Sequence, residues 1–212
     1  MGIANRALAK LGEAPLLAMT DNTKAGRTMN AMFDAVRDAE LRRCRWKFAV
    51  KRDQLTALAA APAWGYLYAY PLPADFLAIV QVNDYYLHPL AKNAGLWSVE
   101  GGQILTDIAP LLKVRYTARI DNAGLFDPLF CEALACKLAY EACEAITQSG
   151  SKKQLLGQDY KDALLEAARV DAIENPPVDL PDFSWLDSRE GLNAFSRADG
   201  EWPVGTSGFS VA

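Results

Sequence analysis

The chain has 212 residues, 51% of them hydrophobic and 23% charged, enough to bury one sizeable core and a second small one. No apolar run approaches the roughly 20 residues that span a bilayer, and the opening MGIANRALAKLGEAP has neither the apolar core of a signal peptide nor a myristoylation serine or threonine, so synthesis in a cytoplasm and no membrane contact are expected. Net charge is −4 but uneven, with seven basic and two acidic residues over 37–52 against eight acidic and two basic over 171–212.

Ile3, Ala7, Leu8 and Leu11 form the apolar stripe of a first helix that stops at Gly12, with Pro15 just beyond as a breaker. Asp21 or Asn22 is expected to cap a second helix, in which Ala25, Met29, Met32, Phe33 and Val36 recur at helical spacing and which runs to about Arg45. The period then changes from 3.6 to 2. Leu77 to Val82 reads as a strand, introduced by Tyr66, Tyr68 and Tyr70. Residues 97–100 and 103–106 flank Gly101-Gly102, which suits a two-residue hairpin turn of positive φ. Leu112, Val114, Tyr116, Ala118 and Ile120 alternate with Lys113, Arg115, Thr117 and Arg119, the pattern of a half-buried strand.

A third helix begins at Asp127-Pro128, an N-cap followed by proline at the first helical position. It is apolar nearly all round except for a stripe of Lys137, Glu141, Glu144 and Gln148, as befits the central helix of a bundle. A fourth follows Ser149-Gly150-Ser151, repeats Leu156, Tyr160, Ala163, Ala167 and Val170, and is expected to end by Pro176-Pro177. The fold class is therefore α+β: a mainly helical four-helix bundle from 1–63 and 121–175, a small antiparallel β module inserted at 64–120, and an extended arm at 176–212. The arm separates single aromatics with Pro, Gly, Ser and Asp. Phe183, Trp185, Leu186, Phe195, Trp202 and Phe209 are costly to leave in water, so the arm is expected to wrap a neighbouring subunit or dock on another protein.

Catalytic chemistry finds little footing in the chain. His88 is the single histidine and precedes Pro89 in a loop-like stretch, where no Ser-His-Asp arrangement is assembled, and it reads as structural. No Gly-rich phosphate loop follows a strand. Glu141 with Glu144 is a carboxylate pair of the kind a glycosidase uses, but that spacing is also a solvated helix stripe. Cys44, Cys131, Cys136 and Cys143 fall in segments read as helical with no CxxC pair, so reduced, structural thiols are expected. No catalytic, cofactor or metal residue is assigned.

The densest local cluster is Arg42-Arg43-Cys44-Arg45-Trp46-Lys47-Phe48. It suits nucleic-acid contact, and equally a helix end whose cations meet the carbonyl dipole, with Trp46 and Phe48 in the core. The charge asymmetry permits two solvated faces, a basic segment that meets the acidic arm between subunits, or a basic face toward DNA or an acidic partner. Arg42, Arg43 and Arg45 are accordingly candidate subunit-interface residues.

Five separate pieces, in order, carry a family resemblance. They are residues 7–15 (ALAKLGEAP), 45–49 (RWKFA), 70–77 (YPLPADFL), 126–130 (FDPLF) and 184–189 (SWLDSR). Together they resemble the head-to-tail adaptor proteins of short-tailed bacteriophages, the tail tubular protein A family. The resemblance implies a helical bundle with a β insertion and no catalytic residues. It implies a homo-oligomeric ring, a dodecamer, in the virion between the portal protein and the tail nozzle, with the tail fibres as a further partner. DNA would pass through the channel without sequence-specific binding. It also implies an arm that docks on the portal, for which Phe183, Trp185, Leu186, Trp202 and Phe209 are the candidate anchors. Two other classes stay open: a DNA-binding regulator using residues 37–52, and a cell-wall hydrolase of the tail.

Overall fold

The computed structural model describes residues 1–83, the backbone of Tyr85–Tyr86, and residues 96–174; residues 84, 87–95 and 175–212 lie outside the description. In chain order the elements are α1 (Gly2–Leu11), α2 (Lys24–Arg43), β1 (Val50–Leu55), β2 (Tyr68–Pro71), β3 (Phe76–Val82), β4 (Tyr85–Tyr86), β5 (Trp97–Glu100), β6 (Gln103–Thr106), β7 (Leu112–Ala118), α3 (Pro128–Thr147) and α4 (Gly150–Ile173). The fold is α+β, with two antiparallel sheets ordered β1-β7-β3-β4 and β2-β6-β5.

Side-chain chemistry fixes the helix ends. Gly12 closes α1 in the left-handed region at φ 76, so its N–H reaches the Ala9 carbonyl and that of Glu13 reaches Leu8, each at 3.0 Å. Asp127 caps α3 by accepting from the N–H groups of Leu129 and Phe130 at 2.8 and 3.2 Å, with Pro128 first in the helix. The cap of α2 is Thr23, whose hydroxyl accepts from Gly26 N–H at 3.0 Å. Asp21 is occupied one turn earlier, accepting from the N–H groups of Leu17 and Ala18, and is therefore not the cap. The second helix also stops at Arg43, short of the expected Arg45, because extended backbone at Cys44 turns Trp46 into the core.

Strand β7 lies between β1 and β3, with Leu112, Val114 and Tyr116 buried and Lys113 exposed, as the alternation predicts. Gly101 and Gly102, at φ 54 and 78, make the turn that sets Glu100 opposite Gln103. The β structure starts earlier than expected. β1 pairs with β7 in unbroken register from Val50↔Thr117 to Leu55↔Leu112, although this stretch falls in the part of the sequence read as bundle. Four consecutive exposed residues, Lys51 to Gln54, give it no alternation to read.

Residues Met1–Glu174 form one compact unit in which sheet and helices share a core. Its central helix, α3, packs against α1, α2 and α4 and buries Phe130, Leu134, Ala135, Leu138 and Ala142 on several sides. Trp46, Phe48, Phe126 and Phe130 form an aromatic knot, with the ring centroids of Trp46 and Phe130 5.1 Å apart and those of Phe126 and Phe130 5.2 Å apart. The RWKFA and FDPLF segments therefore meet in space.

Candidate interaction surfaces

The basic segment 37–52 does not present one cationic face. Arg37 is buried among Asp34, Asp38 and Asp121 at 2.9–3.1 Å, and Arg119 completes the cluster at 2.8 Å from Asp38. Arg42 donates to the Leu77 carbonyl at 2.7 Å, which ties α2 to β3. Arg43 lies 3.4 Å from Glu40 and over the ring of Tyr160. Lys51 pairs with Asp75 at 2.6 Å. Arg45 is exposed beyond the end of α2, and Arg52 lies on β1. Of the eight acids over 171–212, the two among the described residues both meet this segment. Asp171 accepts from the Lys47 N–H at 3.1 Å, and Glu174 lies 3.6 Å from the Lys47 ammonium.

Two polar clusters, one buried and one partly exposed, are fasteners by their geometry. Glu40 is 2% exposed, and the Tyr160 hydroxyl from α4 lies against its carboxylate. Asp75 accepts from Lys51 and from the Tyr116 hydroxyl at 2.9 Å, while its own carbonyl accepts from Arg119 N–H at 2.6 Å. Burial opposes ionisation of Asp75, but the hydrogen bonds from Lys51 and Tyr116 outweigh it and hold the carboxyl below its usual range. The YPLPADFL segment is thus clasped to β1 and β7.

The cysteines are all free thiols, and burial pushes those of Cys44, Cys131 and Cys136 up. Cys44 lies just past α2 and not within it. Among the described residues no three His, Cys, Asp or Glu side chains gather as a metal site, and no helix is long and apolar enough to cross a membrane. Glu141 and Glu144 are spent on lysines, pairing with Lys137 at 2.6 Å and Lys153 at 2.8 Å.

An exposed apolar surface lies where the sequence shows only an alanine-rich run. Residues 56–67 contain no charged side chain, and Leu58, Trp64 and Leu67 are 40%, 86% and 66% exposed. Hydrogen bonds from Leu58 N–H to the Ala69 carbonyl and from Leu67 N–H to the Asp107 carboxylate pin both ends of the segment. The absence of charge between two strands was the legible signal, since a solvated loop of this length ordinarily carries some. Leu155, Leu165 and Ile173 are likewise exposed on α4.

Two open depressions accompany these surfaces. One, of about 640 Å³, lies on the β1-β7-β3 sheet and is lined by Arg52, Gln54, Gln81, Lys113 and Arg115. The other, of about 580 Å³, lies between α3 and α4 and is lined by lysines and tyrosines. His88 and the arm residues Phe183, Trp185, Leu186, Trp202 and Phe209 lie outside the described residues.

The chain matches no protein-family model and no curated protein.

Proposed function

We propose that this protein is a structural component of a short-tailed bacteriophage virion: a head-to-tail adaptor that assembles as a ring between portal and tail nozzle and continues the DNA channel. The observation that carries the reading is the uncharged segment 56–67, fixed at both ends and holding Trp64 at 86% exposure. An apolar surface of this kind is characteristic of protein contacts. A head-to-tail ring repeats one such contact around a closed circle.

Further support comes from the four segments carrying the family resemblance that fall among the described residues, each of which has a defined place in the fold. RWKFA and FDPLF build the aromatic knot, YPLPADFL is held through Asp75, and ALAKLGEAP ends α1 at Gly12. In this reading the arm supplies anchors for the portal and for a neighbouring subunit through Phe183, Trp185, Leu186, Trp202 and Phe209. The DNA-binding regulator has less to stand on, because Arg37, Arg42, Arg43 and Lys51 are engaged within the chain.

Deleting residues 178–212 tests the reading. The truncated chain is expected to keep its helix content and to lose portal binding, since truncating one central aromatic anchor can cost about 2 kcal/mol or more. Full portal binding by the truncated chain would move the docking surface onto the bundle.

A further inference from the structure

The groove between α3 and α4 carries a chemistry that the ring reading leaves unused. Its cations are Lys137, Lys153 and Lys161, against Glu144 as the one acid in the lining. The Lys137 ammonium sits 5.3 Å from the ring centroids of both Tyr140 and Tyr160, and that of Lys153 lies 5.4 Å from Tyr140. Lys161 has no ion pair among the described residues. Gly157 sets the floor: a Cβ there would lie 3.2 Å from the Tyr140 ring, so glycine lets that ring rest against the α4 backbone. Lysines beside aromatic rings offer two kinds of contact at once, ammonium donors for carboxylates and ring surface for aromatic side chains.

The chain itself holds a peptide of the matching kind. Residues 179–187 read DLPDFSWLD, in which Asp179, Asp182 and Asp187 bracket Phe183, Trp185 and Leu186. The whole stretch 175–212 has six acidic and two basic residues. We propose that residues 179–187 of a second copy of this chain dock in the α3–α4 groove, with their carboxylates on Lys153 and Lys161 and an aromatic side chain on the tyrosines. The inference rests on the reading of the chain as a ring component. It gives the ring one pair of unlike, complementary patches, as a closed head-to-tail assembly requires. Charge complementarity selects this occupant over the uncharged segment 56–67, which offers the lysines nothing. Residues 188–212, with Trp202 and Phe209, remain for the portal.

The test uses the full chain with p-benzoylphenylalanine in place of Trp185, as an equal mixture of nitrogen-14 and nitrogen-15 protein irradiated without portal. Crosslinks from position 185 into residues 137–161 are expected in products of mixed isotope. Lys153→Glu with Lys161→Glu should lower their yield roughly tenfold, and Asp182→Lys with Asp187→Lys in the same chain should restore it. If circular dichroism shows that the double reversal disturbs the helices, Lys161→Glu alone takes its place, since Lys161 has no ion pair to lose among the described residues. Crosslinks confined to one chain, crosslinks mapping elsewhere, or a yield indifferent to the reversals would overturn the proposal. Because no portal is present, these outcomes are separate from failure of the adaptor reading, which shows as portal rings that the full chain leaves bare.

Discussion

The Tyr160 hydroxyl lies 2.9 and 2.8 Å from the two carboxylate oxygens of Glu40, joining α4 to α2 across 120 residues of chain. Burial, and then the hydrogen bond to Glu40 and its charge, push the ionisation of Tyr160 well above the ordinary tyrosine range. The folded chain thus keeps a proton that the unfolded chain releases. The resulting stability is complete below the unfolded value of about 10 and is lost as pH rises above it. Tyr116 is raised in the same direction, by burial and then by Asp75.

Tyr160→Phe should therefore lower stability at neutral pH by about 1–3 kcal/mol, because a buried acceptor loses its donor. It should also flatten the decline in stability above about pH 10. Thermal melts of both proteins across that range check it. An alkaline slope unchanged by the substitution would show that Tyr160 does not couple to folding.

Lys51 and Tyr116 hold Asp75 ionised, so acid acts with the opposite sign. The folded value lies below the unfolded one of about 3.9, and the contribution is lost only as pH falls beneath that. Asp75→Asn should make the acid limb of a pH-stability curve shallower. An acid limb as steep as wild type would place the acid sensitivity elsewhere.

Val114 is 3% exposed at the centre of the sheet, whereas its neighbour Lys113 is exposed on the other face. Val114→Asp should cost about 3 kcal/mol or more by burying an unpaired charge, and Lys113→Asp about 0.5 kcal/mol or less. Urea midpoints measure both. Equal tolerance would contradict the strand's register.

Arg42 and Arg43 are candidate interface residues by sequence, yet both make contacts within the chain. Arg43→Glu would set a carboxylate beside Glu40, at a cost of about 1–2 kcal/mol once the half-exposed position of Arg43 is allowed for. A loss of assembly in Arg42→Glu with Arg43→Glu has meaning only against a measured urea midpoint, which is expected to fall. Trp64→Ala is the cleaner probe of assembly. At 86% exposure it should leave the midpoint within about 0.5 kcal/mol while weakening self-association in sedimentation. Unaltered association would remove segment 56–67 from the interface.

Features with a local chemical signature were legible in the sequence: the Asp127-Pro128 start of α3, the Gly101-Gly102 turn, and the stop at Gly12. Features decided by distant partners were not. Asp21 and Thr23 are both good caps, and only the turn at Leu17 and Ala18 assigns Asp21 elsewhere. Strand β1 is an exposed edge whose partner lies some sixty residues on, so its own residues carry no alternation. On α2 the predicted apolar stripe is fully buried only at Met29, while Ala25, Met32, Phe33 and Val36 pack half-buried against the core. Arg37 and Glu40 share that face, and their burial depends on Asp121 and Tyr160 from other segments. For the same reason the basic cluster looked like a surface.

The adaptor reading is tested most directly by electron microscopy of the full chain mixed with isolated portal rings. It predicts a closed collar of this chain stacked coaxially on the portal at fixed stoichiometry. Portal rings that stay bare at saturating chain concentration, with the chain instead bound to duplex DNA in a steeply salt-dependent way, would contradict it.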